Sequence, residues 1–325
     1  MFYLVTQPDN EFSYQKMHNS TIRQYLNYFK ILYREINLDA DPLSRHNLSK
    51  INLSYSKPGD IWFLTFAQNP LIDIISKKPG RKFAHVHGFE AGLYEPAVLS
   101  GGHLNEEQRL SCYDGIFVNS EWAYSVISQN YPHLAYKTFV TGFPFNPGYM
   151  EQYKGSAKID NFIIFNQRFS YEKLHILEVY IADKLIKLGY RVAHICSPIE
   201  YNRIQSDRES RVLLNEFSNK GLEVIVANTK NEYYEKLSQA SIAITTSLSD
   251  TLSVSMLEAI ELGLVPIAPD LGPFREYIHP DNLYRPYNID EIIRKVAEHP
   301  VRPHNIYKYN ADNVMKIYLE KMGLK

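Results

Sequence analysis

The chain has 325 residues, of which 45% are hydrophobic and 22% are charged, and its formal net charge at pH 7 is −1. This composition is typical of a folded, soluble protein, and the near-neutral charge excludes a global basic field that would draw the chain onto nucleic acid. The two cysteines are too few for a disulfide framework, and because neither a signal peptide nor an apolar run of membrane-spanning length is evident, we expect a cytoplasmic protein.

Short apolar runs alternate with amphipathic stretches along the first half of the chain. The apolar runs predict strands at residues 2–6, 61–66, 82–87, 115–119 and 138–141. The amphipathic stretches between them predict helices at residues 20–35, 70–76, 106–112 and 122–129. This alternation is typical of a parallel sheet that is covered by helices.

The second half of the chain repeats the same rhythm. Its apolar runs predict strands at residues 161–166, 191–196, 222–227, 242–246 and 265–268. Its amphipathic stretches predict helices at residues 173–188, 206–219, 231–240, 253–261 and 289–298. Two such series predict an α/β fold with two Rossmann-like, doubly wound domains that face each other across a cleft.

The boundary between the domains is indicated by residues 142–157, which contain two prolines and three glycines and have little periodicity. Such a segment is typical of a linker, so we place a hinge there. We predict an N-terminal domain at residues 1–145 and a C-terminal domain at residues 146–303. Residues 304–325 follow a proline and predict a helix that packs back on the N-terminal domain.

One acidic segment follows the predicted strand at residues 242–246, where the ligands of open α/β sheets bind. Asp250 precedes a predicted helix that begins near Ser253, and Glu258 lies within that helix. The free N–H groups of the first turn, at Ser253 and Val254, favour an anion. Glu258 can accept hydrogen bonds from a vicinal diol such as a ribose, and Asp250 can reach a sugar hydroxyl. Helix capping and a solvated helix face account for the same two acidic residues.

Two cations follow the first strand of the second half. Arg168 and Lys173 form an R-x4-K pattern at a predicted strand-to-helix turn. Fixed cations at the carboxyl edge of a sheet suit a diphosphate, and they would stabilise a departing nucleoside diphosphate.

Together, these two segments resemble the retaining GT-B glycosyltransferases that carry an E-x7-E signature. In that family an R-x4-K turn opens the first helix of the C-terminal domain, and the acidic motif follows later in the chain. Glu258, Ala259, Gly263 and Pro266 are in register with the family's continuation of the motif. The resemblance covers residues 160–280.

The resemblance implies a role for each matching residue. Arg168 and Lys173 would bind the diphosphate, Glu258 would bind the ribose, and Asp250 stands where the family has its first Glu, beside the transferred sugar. Asn228 would lie near the nucleobase. The resemblance also implies retention, no bound metal and no permanently bound cofactor, with a UDP- or GDP-sugar as the favoured donor.

Candidate residues in the first half follow the strand at residues 82–87. His85 and His87 lie on one face of that strand, and such an H-x-H pair can bind a metal, but no Cys, Asp or Glu completes a metal site at a convincing spacing. We therefore predict no metal and assign His87 to a sugar or acceptor contact, as the resemblance implies; a structural histidine is the alternative. Glu90 is predicted to orient an acceptor hydroxyl.

Asn119 and Ser120 end the next strand and are predicted to line the acceptor side, although capping of the following helix explains them as well. The acceptor itself stays open between a glycan, a small molecule and a nucleic acid. Some relatives with these motifs glycosylate hydroxymethylated DNA bases or a hypermodified tRNA base. A different class of function is also open: a non-catalytic module that binds a nucleotide-sugar, since Asp250 replaces the usual Glu.

Overall fold

A computed structural model describes residues 1–6, 14–37, 56–67, 72–88, 103–298 and 301–325. The chain divides into two compact units. The first unit contains residues 1–146 together with residues 307–325, and the second contains residues 147–306. The acceptor-side and donor-side roles of the two predicted domains stay predictions.

The first unit is built on a six-stranded parallel sheet with the strand order β2-β1-β3-β4-β5-β6. Its strands are β1 (Phe2–Thr6), β2 (Tyr33–Asn37), β3 (Ile61–Leu64), β4 (Arg81–Val86), β5 (Gly115–Val118) and β6 (Thr138–Val140). Its helices are α1 (Tyr14–Tyr28), α2 (Ile72–Ile75), α3 (His103–Ser111), α4 (Glu121–Asn130) and, at the far end of the chain, α12 (Ala311–Lys321).

Both faces of this sheet are buried, because alternate side chains of each strand enter different cores. Phe2 and Leu4 of β1 pack in the same core as residues of α12, whereas Tyr3 and Val5 enter the core on the opposite face. Continuous apolar strands such as β3 are therefore expected, since the side chains of a parallel sheet pack against helices on both faces.

The second unit contains another six-stranded parallel sheet, with the order β12-β11-β10-β7-β8-β9. Its strands are β7 (Ile159–Phe165), β8 (Arg191–Cys196), β9 (Glu223–Val226), β10 (Ala240–Ile244), β11 (Val265–Pro269) and β12 (Leu283–Tyr284). Its helices are α5 (His175–Lys187), α6 (Pro198–Ser206), α7 (Arg208–Asn219), α8 (Lys230–Gln239), α9 (Val254–Glu261), α10 (Phe274–Tyr277) and α11 (Ile289–Glu298). The predicted α/β class with two doubly wound parallel sheets is confirmed.

Two predicted helices had wrong bounds, and β2, α6, α10 and β12 were not predicted. The helix predicted at residues 20–35 ends at Tyr28, because Lys30 adopts a positive φ of 54° and the chain then enters β2. The helix predicted from Lys173 begins at His175, after Leu174 with a φ of 50°. Helix α6 was not predicted, although Ser197 caps it and Pro198 opens it, a common signal for a helix start.

Among the described residues, no helix combines the length and the apolar character needed to cross a bilayer.

Candidate active site

The predicted donor-site residues of the second unit follow two strands that lie side by side in the sheet. From β7 the chain proceeds outward to β8 and β9, and from β10 it proceeds the other way to β11 and β12. This reversal of direction is the topological switch point at which open α/β sheets bind ligands beyond the carboxyl ends of their strands. Arg168 and Lys173 follow β7, and Asp250 and Glu258 follow β10.

Lys173 and Asp250, which were predicted from separate motifs, are brought into direct contact. The Lys173 ammonium donates to Asp250 Oδ2 over 2.6 Å and to Ser247 Oγ over 2.8 Å. The Lys173 side chain is 6% exposed and that of Asp250 is 19% exposed, so the ion pair is shielded from solvent. The arrangement places one fixed positive charge and one carboxylate at the end of the sheet.

Arg168 lies on the outside of the same turn, with its side chain 61% exposed. Its guanidinium donates to Glu172 Oε1 from Nε over 3.1 Å and from Nη2 over 2.7 Å, and Ser170 Oγ donates to the same oxygen over 2.6 Å. Burial alone would raise the pKa of Glu172, but the charges of Arg168 and Lys173 and the Ser170 hydroxyl hold it below its ordinary value. Glu172 is therefore ionised and orients the arginine.

A buried glutamine fixes the backbone of this turn to the neighbouring strand end. Gln167 Nε2 donates to Thr246 Oγ1 over 2.8 Å and to the Lys173 carbonyl over 3.2 Å. Its Oε1 accepts from Thr245 Oγ1 over 2.6 Å and from the Thr246 N–H over 3.1 Å. The position of Lys173 is therefore set by hydrogen bonds inside the unit.

A buried charged cluster supports the turn from below. Glu178 accepts from His175 Nδ1 over 2.9 Å, from His194 Nδ1 over 3.0 Å and from Gln167 Nε2. Burial opposes ionisation of Glu178, but the two histidines lower its pKa to about 2. Burial also opposes protonation of His194, and the Glu178 charge outweighs it and raises the pKa of His194. His175 Nε2 accepts from the Ser170 N–H over 3.0 Å, which links this cluster to the turn.

The helix predicted near Ser253 is α9, and its first residue is Val254. Ser253 occupies the N-cap position without a capping hydrogen bond from its side chain, and its hydroxyl lies 3.2 Å from that of Ser255. Because the first N–H groups of a helix have no partner within the helix, this end of α9 favours an anion.

Glu258 is held by three side chains that were not predicted. Its Oε2 accepts from the Tyr233 hydroxyl over 3.1 Å, and its Oε1 accepts from the Tyr234 hydroxyl over 3.0 Å and from Lys230 Nζ over 2.8 Å. Burial, followed by the Glu258 charge, raises the pKa of both tyrosines. A carboxylate has about four acceptor positions, so these three donors, counted among the described residues, leave one position on Oε2. All three donors belong to the run KNEYY, which opens α8 after a short loop that follows β9.

Asn228 precedes α8, the helix that carries the three donors to Glu258. Its N–H and its side-chain amide donate to Glu232 Oε2 over 2.8 and 3.2 Å, respectively. The structure therefore places Asn228 in the loop between β9 and α8, where it contacts the first turn of that helix.

In the first unit, the predicted H-x-H pair is joined by a third imidazole from α1. His85 Nδ1 lies 3.1 Å from His87 Nε2, and a ring nitrogen of His18 completes a group whose nitrogens lie within 4.8 Å of one another. His87 Nε2 is 2.8 Å from the Thr65 carbonyl, and His85 Nε2 is 3.3 Å from the Gly142 carbonyl. Burial lowers the pKa of His87 to about 3 and, together with the neighbouring imidazoles, lowers the pKa of His18 and His85 well below the ordinary range.

The remaining acceptor-side candidates differ in what the structure shows. Ser120 is the N-cap of α4, and its hydroxyl accepts from the Ala123 N–H over 3.1 Å. Asn119 is 3% exposed and hydrogen-bonds to His85. Glu90 lies outside the described residues.

Residues 151–299 match the family model "Glycosyl transferases group 1". No curated protein matches the sequence.

Solved structures show the fold at low sequence identity. The trehalose 6-phosphate synthase of Burkholderia multivorans matches with a TM-score of 0.71 and 9% identity, over 100% of this chain and 98% of that one. The lipopolysaccharide outer core galactosyltransferase WaaB matches with a TM-score of 0.65 and 14% identity, over 99% of both chains. TarM of S. aureus matches with a TM-score of 0.64 and 13% identity over 85% of this chain. The match covers only 58% of the length of TarM.

The matched region contains the Lys173–Asp250 pair and the whole of α9, and the structural neighbours have the GT-B fold. Residues 151–299 therefore form a glycosyl transferases group 1 domain, and the chain has the GT-B fold. The family match confirms the predicted enzyme class, a glycosyltransferase.

Proposed function

We propose that this protein transfers a sugar from a nucleotide-sugar to an acceptor hydroxyl with retention of the anomeric configuration. The observation that carries the proposal is the shielded Lys173–Asp250 pair beside the N-terminus of α9, at the switch point of a glycosyl transferases group 1 domain. Retention is supported by the resemblance of this segment to retaining GT-B enzymes.

Charge stabilisation on the donor diphosphate is assigned to groups of the protein. The Lys173 ammonium and the first N–H groups of α9, at Ser253 and Val254, would stabilise the negative charge that develops on the leaving nucleoside diphosphate. Arg168 would join them by moving from Glu172 to the phosphate, because its guanidinium is exposed and an arginine side chain makes bidentate contacts with phosphate oxygens. With these cations in place, we propose that the transfer requires no metal at the diphosphate.

The sugar and the nucleoside are assigned to the two carboxylates. Asp250, one of whose oxygens accepts from Lys173, would accept from a hydroxyl of the transferred sugar. Glu258 would accept one ribose hydroxyl at the remaining position on Oε2, and Asn228 would face the nucleobase. On the acceptor side, His87, Asn119, Ser120 and Glu90 stay predictions.

The donor is proposed to be a UDP-sugar. A TarM structure is described in complex with UDP, and a matching trehalose-phosphate synthase from Burkholderia xenovorans is described as UDP-forming. A GDP-sugar is the alternative. The acceptor, whether glycan, small molecule or nucleic acid, and a cytoplasmic location both stay predictions.

The test is the release of nucleoside diphosphate from UDP-, GDP-, ADP- and dTDP-sugars, measured alone and with each class of acceptor. We expect release from one donor and a loss of about 100-fold or more in Lys173→Ala, the range seen when one donor to a developing charge is removed. The matched control is Lys184→Ala in α5, since that lysine is 49% exposed and pairs with the exposed Asp290.

Each outcome has a defined meaning. Equal rates for Lys173→Ala and Lys184→Ala would contradict the donor site, and donor binding without release would favour a non-catalytic module. The anomeric proton coupling of the purified product, measured by NMR, decides between retention and inversion. Stimulation by hydroxymethylated DNA or by tRNA, and by no glycan, would identify a nucleic acid as the acceptor.

A further inference from the structure

We propose that His18, His85 and His87 of the first unit form a binding site for a transition-metal ion of the Zn²⁺ class. The inference goes beyond the sugar transfer, because these residues belong to the first unit and the proposed donor site belongs to the second. The ion would hold together the two elements that carry the histidines, α1 and the end of β4, and would take no part in a chemical step.

The first support is the convergence of imidazole nitrogens from separate elements. His85 and His87 lie at the end of β4 and His18 lies in α1, and one nitrogen from each is within 4.8 Å of the others. Two nitrogens bound to one tetrahedral Zn²⁺ at the usual bond length are about 3.3 Å apart. The separation between His85 Nδ1 and His87 Nε2 is 3.1 Å, close to that value.

The second support is a fourth donor at the same point. The Thr65 carbonyl lies 2.8 Å from His87 Nε2 and also hydrogen-bonds to His18. Three imidazoles and one carbonyl oxygen would give a four-coordinate set, and imidazole nitrogen is a preferred ligand of Zn²⁺, Ni²⁺ and Cu²⁺.

The third support is the surroundings of the imidazoles. Histidines that bind metals usually donate their second N–H to a carbonyl or carboxylate, which fixes the tautomer and the ring orientation. The other nitrogen of His85, Nε2, lies 3.3 Å from the Gly142 carbonyl, as this rule requires. By contrast, the buried Nδ1 of His18 has no hydrogen-bond partner among the described residues, and a buried nitrogen without a partner costs free energy unless a ligand binds it.

A network of neutral imidazoles without a metal is the competing account. In that network His87 Nε2–H donates to the Thr65 carbonyl and His85 Nδ1 is an acceptor. The two accounts differ in a measurable way, because only the metal site binds one ion per chain and loses it when any of the three imidazoles is replaced.

The experiment uses the full chain, purified without a histidine tag and freed of metal by a chelator. Zn²⁺ binding is followed by calorimetry and by metal analysis after dialysis, for the wild type, His18→Gln, His85→Gln and the control His133→Gln, whose side chain is 55% exposed. We expect one bound equivalent in the wild type and in His133→Gln, and none in the other two variants.

A second measurement keeps the test decisive if His18→Gln or His85→Gln fails to fold. X-ray absorption at the zinc edge of the loaded wild type should show three imidazole ligands and one oxygen ligand. No bound Zn²⁺ in the wild type, equal binding in His18→Gln, or fewer than three imidazoles on the ion would overturn the metal site.

Discussion

Asp250 provides the sharpest single-residue test of the donor site, because it contacts both a protein cation and, in the proposed complex, the sugar. Replacing Asp250 with Asn keeps its size and its acceptor oxygen, but removes the charge beside Lys173 Nζ, 2.6 Å away. We expect kcat to fall by about 10- to 100-fold with a smaller change in donor KM, since interactions made in the transition state affect kcat.

The matched control for Asp250→Asn is Asp270→Asn. Asp270 follows β11 in the same unit, pairs with Arg275 and is 45% exposed. A steady-state comparison of the two variants with the wild type should show the decrease in kcat for Asp250→Asn alone. A normal kcat in Asp250→Asn would remove Asp250 from the reaction and leave it a structural partner of Lys173.

The residue scale also shows why only part of the site was predicted. Lys173, Asp250 and Glu258 stand in motifs that can be read from neighbouring positions, and the structure brings the first two together. The donors to Glu258 come from α8, another element, so no local spacing could reveal them. The same reason explains why His18 was missed as the third imidazole beside His85 and His87.

At the scale of elements, the central strands were predicted best. Their side chains are buried on both faces, and this produces continuous apolar runs that few other structures share. The errors occur where backbone conformation decides the boundary. Lys30 and Leu174 adopt a positive φ, which residues other than glycine rarely do. Their residue types therefore did not indicate that the chain changes direction there.

The last helix, α12, is predicted to contribute strongly to the stability of the first unit. Tyr318 is fully buried and stacks on Phe117 with ring centroids 4.8 Å apart. Tyr318→Ala should lower the free energy of unfolding by about 3–5 kcal/mol, the usual cost of removing a large buried aromatic ring. Urea unfolding measures this loss. Tyr307→Ala is the control, since Tyr307 is 73% exposed, and equal losses in both variants would contradict the packing of α12.

At the scale of the whole molecule, the two units should respond differently to mild acid. In the metal-free first unit, His18, His85 and His87 have a lowered pKa, about 3 for His87. The unfolded chain takes up protons at these imidazoles near pH 6.5 and the folded unit does not, so stability falls as the pH falls below 6.5.

The second unit contains opposing contributions over the same range. The pKa of His194 is raised by Glu178, so its stabilisation is complete below pH 6.5 and is lost as the pH rises through its folded pKa. Burial lowers the pKa of His304 to about 4. The stability that His304 contributes is therefore lost as the pH falls from 6.5 to 4. Glu178, with a pKa of about 2, loses its contribution only below about pH 4.5.

Scanning calorimetry of the chelator-treated protein between pH 7.5 and 5 tests this difference. We expect the transition of the first unit to move to lower temperature while that of the second unit moves little. The unit that unfolds in each transition is identified with Tyr318→Ala, which should shift only the first. A parallel decrease of both transitions would show that His18, His85 and His87 do not control the acid response.

The return of the chain to its first unit has a consequence for synthesis on the ribosome. Residues 307–325 complete the first unit, yet the whole second unit precedes them. Before α12 emerges, the sheet face that includes Phe2, Phe63 and Phe117 lacks Tyr318 and its neighbours. Helix α1 covers only part of this face through Ile22 and Leu26, and an apolar face that is partly exposed invites chaperone binding or aggregation. The unit that is translated first can therefore be completed only after the second unit has been synthesised.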